Sequence, residues 1–157
     1  MGASHRAAPA DTSQSIASGA PPLGVRILGG LIGGLGGGII FGALMAVMGM
    51  LPMIASLGGF TSAAVGFAVH LVISVVIGLA LTVPGGTLLA GSPIRAAMIG
   101  MVYGALWWVL GPLLIMPTMM SMPVLTIDGA SLMSLMGHLL FGLILGVVAG
   151  AVIRRRR

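Results

Sequence analysis

Two histidines stand out as residues with chemical potential in an otherwise apolar chain. His70 lies in FAVHLVISVVIG (residues 67–78) and His138 in LMGHLLFGLILG (135–146), and neither run contains a charge. Neutral imidazole forms hydrogen bonds, transfers protons and ligates haem iron or other metals. Three interpretations of the pair follow. The histidines fix helix packing, ligate a haem, pigment or metal, or form a polar point in a substrate or proton path.

Methionine gives the second chemical signal, because most of the 13 methionines fall toward one end of the predicted helices. Thioethers are soft ligands that suit Cu(I), and Met is also a flexible filler of apolar gaps. We therefore weigh plain packing against a Cu(I) site or path, which would use Met50, Met53, Met116, Met119, Met120 and Met122.

The composition places these residues in a membrane and limits the chemistry. The 157 residues are 58% hydrophobic and 6% charged, whereas soluble domains carry about 25% charged residues. Lipid must therefore be the solvent of this chain. Lys, Glu, Asn and Cys are missing and the only acids are Asp11 and Asp128, so thiolate and paired-carboxylate catalysis are excluded and we expect no enzyme activity. The net charge of +5 comes from arginines at helix ends, so we expect no nucleic-acid binding, which needs a basic face.

Four apolar segments are each long enough to cross a bilayer as a helix. Pro52, the PGG at 84–86 and Pro117 are expected to close the first three. Thr61 or Ser62 is expected to cap the second helix, and Asp128 the fourth. The predicted domain covers residues 25–157, with spans near 27–51, 62–83, 94–116 and 130–153.

The arginines predict the orientation of the spans. All of them after residue 25 fall at one end of an up-and-down arrangement: Arg26, Arg95, Arg154, Arg155, Arg156 and Arg157. By the positive-inside tendency, we expect both termini to lie in the cytoplasm and the protein to lie in the inner cell membrane. Residues 1–24 are rich in Ala, Ser, Pro and Gly and are predicted to be a disordered cytoplasmic tail.

Recurring positions suggest that the four spans are two tandem helical hairpins. FGAL at 41–44 recurs as YGAL at 103–106, and HL at 70–71 recurs at 138–139. Two hairpins in tandem run parallel, so the two histidines are expected at one depth. Small residues at every fourth position would let the helices approach closely. The proposed packing glycines are Gly30, Gly34, Gly38, Gly42, Gly142, Gly146 and Gly150.

These patterns predict an all-α four-helix membrane protein without catalytic activity. The leading interpretation is a subunit that packs through glycine ridges with copies of itself or in a larger membrane complex, and the first helix is expected to make that outward contact. Two alternatives remain open: transport of Cu(I) or a small solute, and binding of haem or a pigment by His70 and His138.

The stretch YGALWWVLGPLLIMP (103–117), together with GHLLFGLILG (137–146), resembles small bacterial four-span membrane proteins. The resemblance implies a bacterial cell-membrane location and assigns no activity or site residue.

Overall fold

The computed structural model of the chain describes residues 19–156, and all regular elements within this range are helices. Four of them are long and apolar enough to cross a membrane, so the predicted all-α four-span fold is confirmed. Of the predicted tail, residues 1–18 lie outside the described residues. The elements are α1 (Leu23–Val47), α2 (Leu51–Ser56), α3 (Ala63–Leu89), α4 (Pro93–Leu110), a π-helical segment (Gly111–Ile115), α5 (Met116–Met119) and α6 (Gly129–Arg155). The segments from α4 through α5 form one continuous span.

The second span is longer than predicted, because the PGG motif does not end it. Pro84 lies inside α3, which continues to Leu89. An internal proline removes one N–H donor and crowds the preceding turn, yet α1 holds this turn in place. The Arg26 guanidinium donates to the Val83 carbonyl at 2.9 Å, and its aliphatic stem packs directly on Gly86.

Pro52 and Pro117 do not end spans either. Helix α1 ends earlier, at Val47, and the chain turns through Gly49, whose φ is +69°. Pro52 then lies in the first turn of α2 and Pro117 in the first turn of α5. A first helical turn leaves its N–H groups without intrahelical acceptors, so Pro52 is tolerated there. Pro117 instead follows the π-helical segment directly, inside the continuous third span.

The cap of the fourth span agrees with the prediction. An Asp128 carboxylate oxygen accepts from the Ser131 N–H at 2.8 Å, and the Ser131 hydroxyl accepts from the Asp128 N–H at 2.8 Å, which completes a capping box. Ser62 occupies the N-cap position of α3, but its side chain makes no capping hydrogen bond.

Glycines determine which helices touch. One face of α1 packs on α3, where a Cβ at Gly34 would come 2.6 Å from the Ser74 carbonyl oxygen. A neighbouring face, about 100° around the helix, packs on α6, where a Cβ at Gly37 would come 2.8 Å from the Phe141 carbonyl oxygen. Helix α6 packs in turn on α4, with Gly142 against Gly100. Helices α3 and α4 contact each other far less, so the four spans lie in the order α3–α1–α6–α4.

This order corrects the expectation that α1 offers its glycines to a partner. The ridge formed by Gly30, Gly34, Gly38 and Gly42 is buried against α3 within the same chain. Gly142, Gly146 and Gly150 are likewise buried against α4 and the turn before it. The small residues therefore allow helices of the same chain to approach each other closely. Each predicted hairpin pairs its own two helices, while the tandem repeat itself stays a prediction.

Candidate ligand-binding site

A cavity of about 500 Å³ lies among the spans, toward the end of the bundle that is remote from the arginines. We call that end the far end, and the space the far-end cavity. Its walls come from all four spans, from α2 and from the loop before α6, and they include Phe41, Met45, Ile54, His70, Ile77, Trp107, Gly111, Met116, Thr126, Ser134, His138 and Phe141. A largely apolar space of this size with a few polar groups is typical of small-molecule sites.

The cavity extends between α3 and α4, because these two helices do not pack closely on each other. These two helices lack the glycine contacts that join the other pairs, and a single hydrogen bond joins them, from the Tyr103 hydroxyl to the Ile77 carbonyl at 2.9 Å. Beyond Trp107 the helix changes to the π-helical segment, whose Gly111 and Pro112 line the cavity. Such π-helical turns widen a helix and are frequent at functional sites.

His70 bridges two helices. Its Nε2 lies 3.1 Å from the carbonyl oxygen of Gly38 on α1. Because a carbonyl only accepts, Nε2 is the nitrogen that carries the proton. The side chain is 7% exposed, and the Ser74 hydroxyl donates to the His70 carbonyl at 2.8 Å.

His138 is anchored within its own helix. Its Nδ1 lies 2.8 Å from the Ser134 carbonyl oxygen, one turn earlier, so Nδ1 carries the proton. The two imidazoles are thus opposite tautomers. Helix rise puts His70 about 11 Å and His138 about 14 Å from the far-end starts of α3 and α6, close to the predicted common depth.

The two histidine rings are linked by a third ring, that of Phe41, which packs against both of them. Phe41 of α1 packs edge-on against both imidazoles, with centroid distances of 5.3 Å to His70 and 4.7 Å to His138. The benzene ring is 6% exposed and also fills the space beside Gly137. This ring therefore packs against both histidines.

Most of the predicted methionines reach the same space. Met50, Met53, Met116, Met120 and Met122 line the far-end cavity, and so does Met45. Met119 does not line it and is 60% exposed. The structure therefore brings both histidines and five of the six proposed metal ligands to one cavity.

The arginines do not contribute to this site. Arg26 of α1 donates to the Val83 carbonyl at 2.9 Å and Arg154 of α6 donates to the Leu89 carbonyl at 3.2 Å, so both tie their helices to the end of α3. Arg26 also donates to the Pro21 carbonyl, just before α1, at 2.7 Å. Arg95 lies in the first turn of α4, and Arg155 and Arg156 end α6. Arg157 lies outside the described residues.

Sequence reasoning missed the aromatic part of the site. Phe41 and Trp107 line the cavity, although only the histidines and methionines were singled out. One sequence signal could have indicated an aromatic contribution: Phe41 and Tyr103 occupy matching positions in the FGAL and YGAL motifs. Both rings lie at contacts between spans.

Comparison with known proteins adds no assignment: no family model, no curated protein and no solved structure matches the chain.

Proposed function

We propose that this protein is a non-catalytic multi-pass membrane protein that binds a small apolar molecule in the far-end cavity. The observation that carries the proposal is the cavity itself, which is lined by both histidines, six methionines and three aromatic side chains, Phe41, Trp107 and Phe141. Its size matches that of a drug-sized ligand, which is far more than a single ion needs. The absence of Lys, Glu and Cys from the sequence supports binding rather than catalysis.

The proposal places the protein in the cell membrane with both termini inside. The proposal includes assembly with copies of the same protein or in a larger membrane complex. Lipid-facing side chains would make these contacts, because the glycine ridges are buried within the chain.

Ligand-dependent stability tests the proposal. A ligand that binds only the folded state raises its stability by about 2.7 kcal/mol at 100 times Kd. We expect 2-methoxynaphthalene to raise the unfolding temperature of the purified protein in detergent. Gly111→Phe should abolish the rise, because Gly111 lines the cavity and a Cβ there meets no atom within 4 Å.

Gly24→Phe is the matched control, since Gly24 is equally open and does not line the cavity. A rise of equal size in both variants would mean that the compound acts through the detergent, and no rise in the unmodified protein would contradict ligand binding.

A second candidate function, binding or transport of Cu(I), is favoured by the five predicted methionines that share the cavity with two imidazoles. Its test is Ag(I) binding to a Met116→Leu, Met120→Leu, Met122→Leu variant. The control changes Met98, Met119 and Met133, which are exposed and off the cavity. Loss of Ag(I) in the first variant alone would support this function, and equal binding by both would contradict it.

Ligation of haem or a pigment by His70 and His138 stays a prediction. Visible absorption by the purified protein that disappears in a His70→Leu, His138→Leu variant would support it.

A further inference from the structure

Both histidines of the far-end cavity have already used their hydrogen-bond donor. His70 donates from Nε2 to Gly38 and His138 donates from Nδ1 to Ser134, each to a backbone carbonyl. A charged imidazole is costly inside an apolar span, so each ring is neutral. The second nitrogen of each ring is therefore an acceptor with a lone pair.

These two acceptors, Nδ1 of His70 and Nε2 of His138, have no partner among the described residues. Neither nitrogen is fully buried, because the one buried and unpartnered side-chain nitrogen or oxygen in the described part of the chain is Trp107 Nε1, and both histidines line the far-end cavity. Of the two rings His70 is the more buried, at 7% exposure, whereas His138 is partly exposed. The larger exposed fraction of the residue favours His138 as the partner of a ligand, through its Nε2.

The Ser134 hydroxyl lies at the other nitrogen of this ring, with Oγ 3.4 Å from His138 Nδ1. Ser134 therefore leaves Nε2 free for a ligand. A ligand hydroxyl can donate to Nε2, whereas a ketone or an ether can only accept.

We propose that the far-end cavity selects a lipid-soluble phenol or quinol, whose hydroxyl donates to His138 Nε2 while its ring packs among the aromatic and methionine side chains. This inference rests on the proposed function and adds the ligand class to it. Phe41, Trp107 and Phe141 provide aromatic contacts in the wall, and aromatic rings prefer edge-on or offset neighbours of this kind. Methionine sulfur adds favourable contacts to ring edges.

The test compares 2-naphthol with 2-methoxynaphthalene, which keeps the ring and loses the donor. Both are titrated into the full chain in nanodiscs, with empty nanodiscs to correct for partitioning into lipid. We expect the phenol to bind about fivefold more tightly, which is the effect of one net hydrogen bond. His138→Phe should remove this preference, so that the two compounds bind the variant with equal affinity, and His138→Gln, which keeps an acceptor, should restore part of the preference.

The outcomes separate the two proposals. If neither compound binds the unmodified protein, the proposed function fails. If both bind with equal affinity, cavity binding stands and the ligand class is wrong. A preference that survives His138→Phe would also overturn the inference.

A second measurement needs no variant. In protein labelled with ¹⁵N-histidine, 2-naphthol should shift the resonance of an unprotonated Nε2, and the ether should leave it in place. An unchanged Nε2 resonance at saturating 2-naphthol would contradict the assignment.

Discussion

The neighbouring tryptophans of α4 have opposite surroundings. Trp108 Nε1 donates to the Ser131 carbonyl at 2.8 Å and so links α4 to the start of α6. Trp107 Nε1 is buried without an acceptor in the described part of the chain; the Tyr103 hydroxyl lies nearby, but the contact does not meet hydrogen-bond geometry. An indole N–H of this kind contributes size and apolar surface to the cavity wall and no hydrogen bond.

We therefore expect Trp108→Phe to lower the free energy of unfolding by about 1 kcal/mol more than Trp107→Phe does. Both changes remove the same ring atoms, and only the first loses a hydrogen bond, whose net value is about 1 kcal/mol. Reversible unfolding in mixed micelles measures both. Equal losses in the two variants would show that packing, and not the Ser131 bond, decides the effect.

The histidines show what the sequence could predict at this scale. Their position on small-residue faces indicated that they point into the protein, and both do line one cavity. Their acceptors could not be predicted, because the choice between Gly38 on another helix and Ser134 on the same helix depends on how each helix is rotated. The role of Phe41 depends on the same rotations.

At the scale of elements, the glycine pattern predicted close helix contacts but not their partners. Spacing of four along α1 marks one face, and the second face at Gly29, Gly33 and Gly37 is equally buried. Because α1 has two glycine faces, it can pack closely on two neighbouring helices, and it lies between α3 and α6. Pro84 failed as a helix end for a related reason, since the contact with Arg26 that supports its turn comes from a distant part of the chain.

Two glycines of α1 test this packing directly. Gly34→Ala places a Cβ 2.6 Å from the Ser74 carbonyl oxygen, whereas Gly36→Ala meets only Ile144 Cγ2 at 3.7 Å. We expect the first change to destabilise the fold by about 1–3 kcal/mol through overpacking. The second should be neutral or stabilising by up to about 1 kcal/mol, because alanine is the better helix former.

Unfolding of the two variants under identical conditions provides the measurement. Equal stability would argue against close contact between α1 and α3.

For the whole molecule, the asymmetry of charge is the strongest feature. The arginines of the described residues all lie at one end and Asp128 at the other. Composition and span lengths were sufficient to predict the four-span fold. The order of the helices was not predictable, because all four are apolar around most of their circumference, so no polar stripe marks the lipid side.

The orientation is testable because the sequence contains no cysteine. We expect a membrane-impermeant maleimide to label Thr61→Cys in intact cells and to label Ser92→Cys only after permeabilisation. Both positions are exposed, at opposite ends of α3. The reverse labelling pattern would contradict the positive-inside prediction.

Ligand binding in the far-end cavity is tested most directly by heavy-atom quenching of Trp107. This ring lines the cavity and that of Trp108 does not. With 1-bromonaphthalene, the Trp108→Phe protein should show saturable quenching of Trp107 that Gly111→Phe removes, while the Trp107→Phe protein shows only the weak, linear quenching caused by probe in lipid. Linear quenching of equal strength for both tryptophans would contradict a binding site in the cavity.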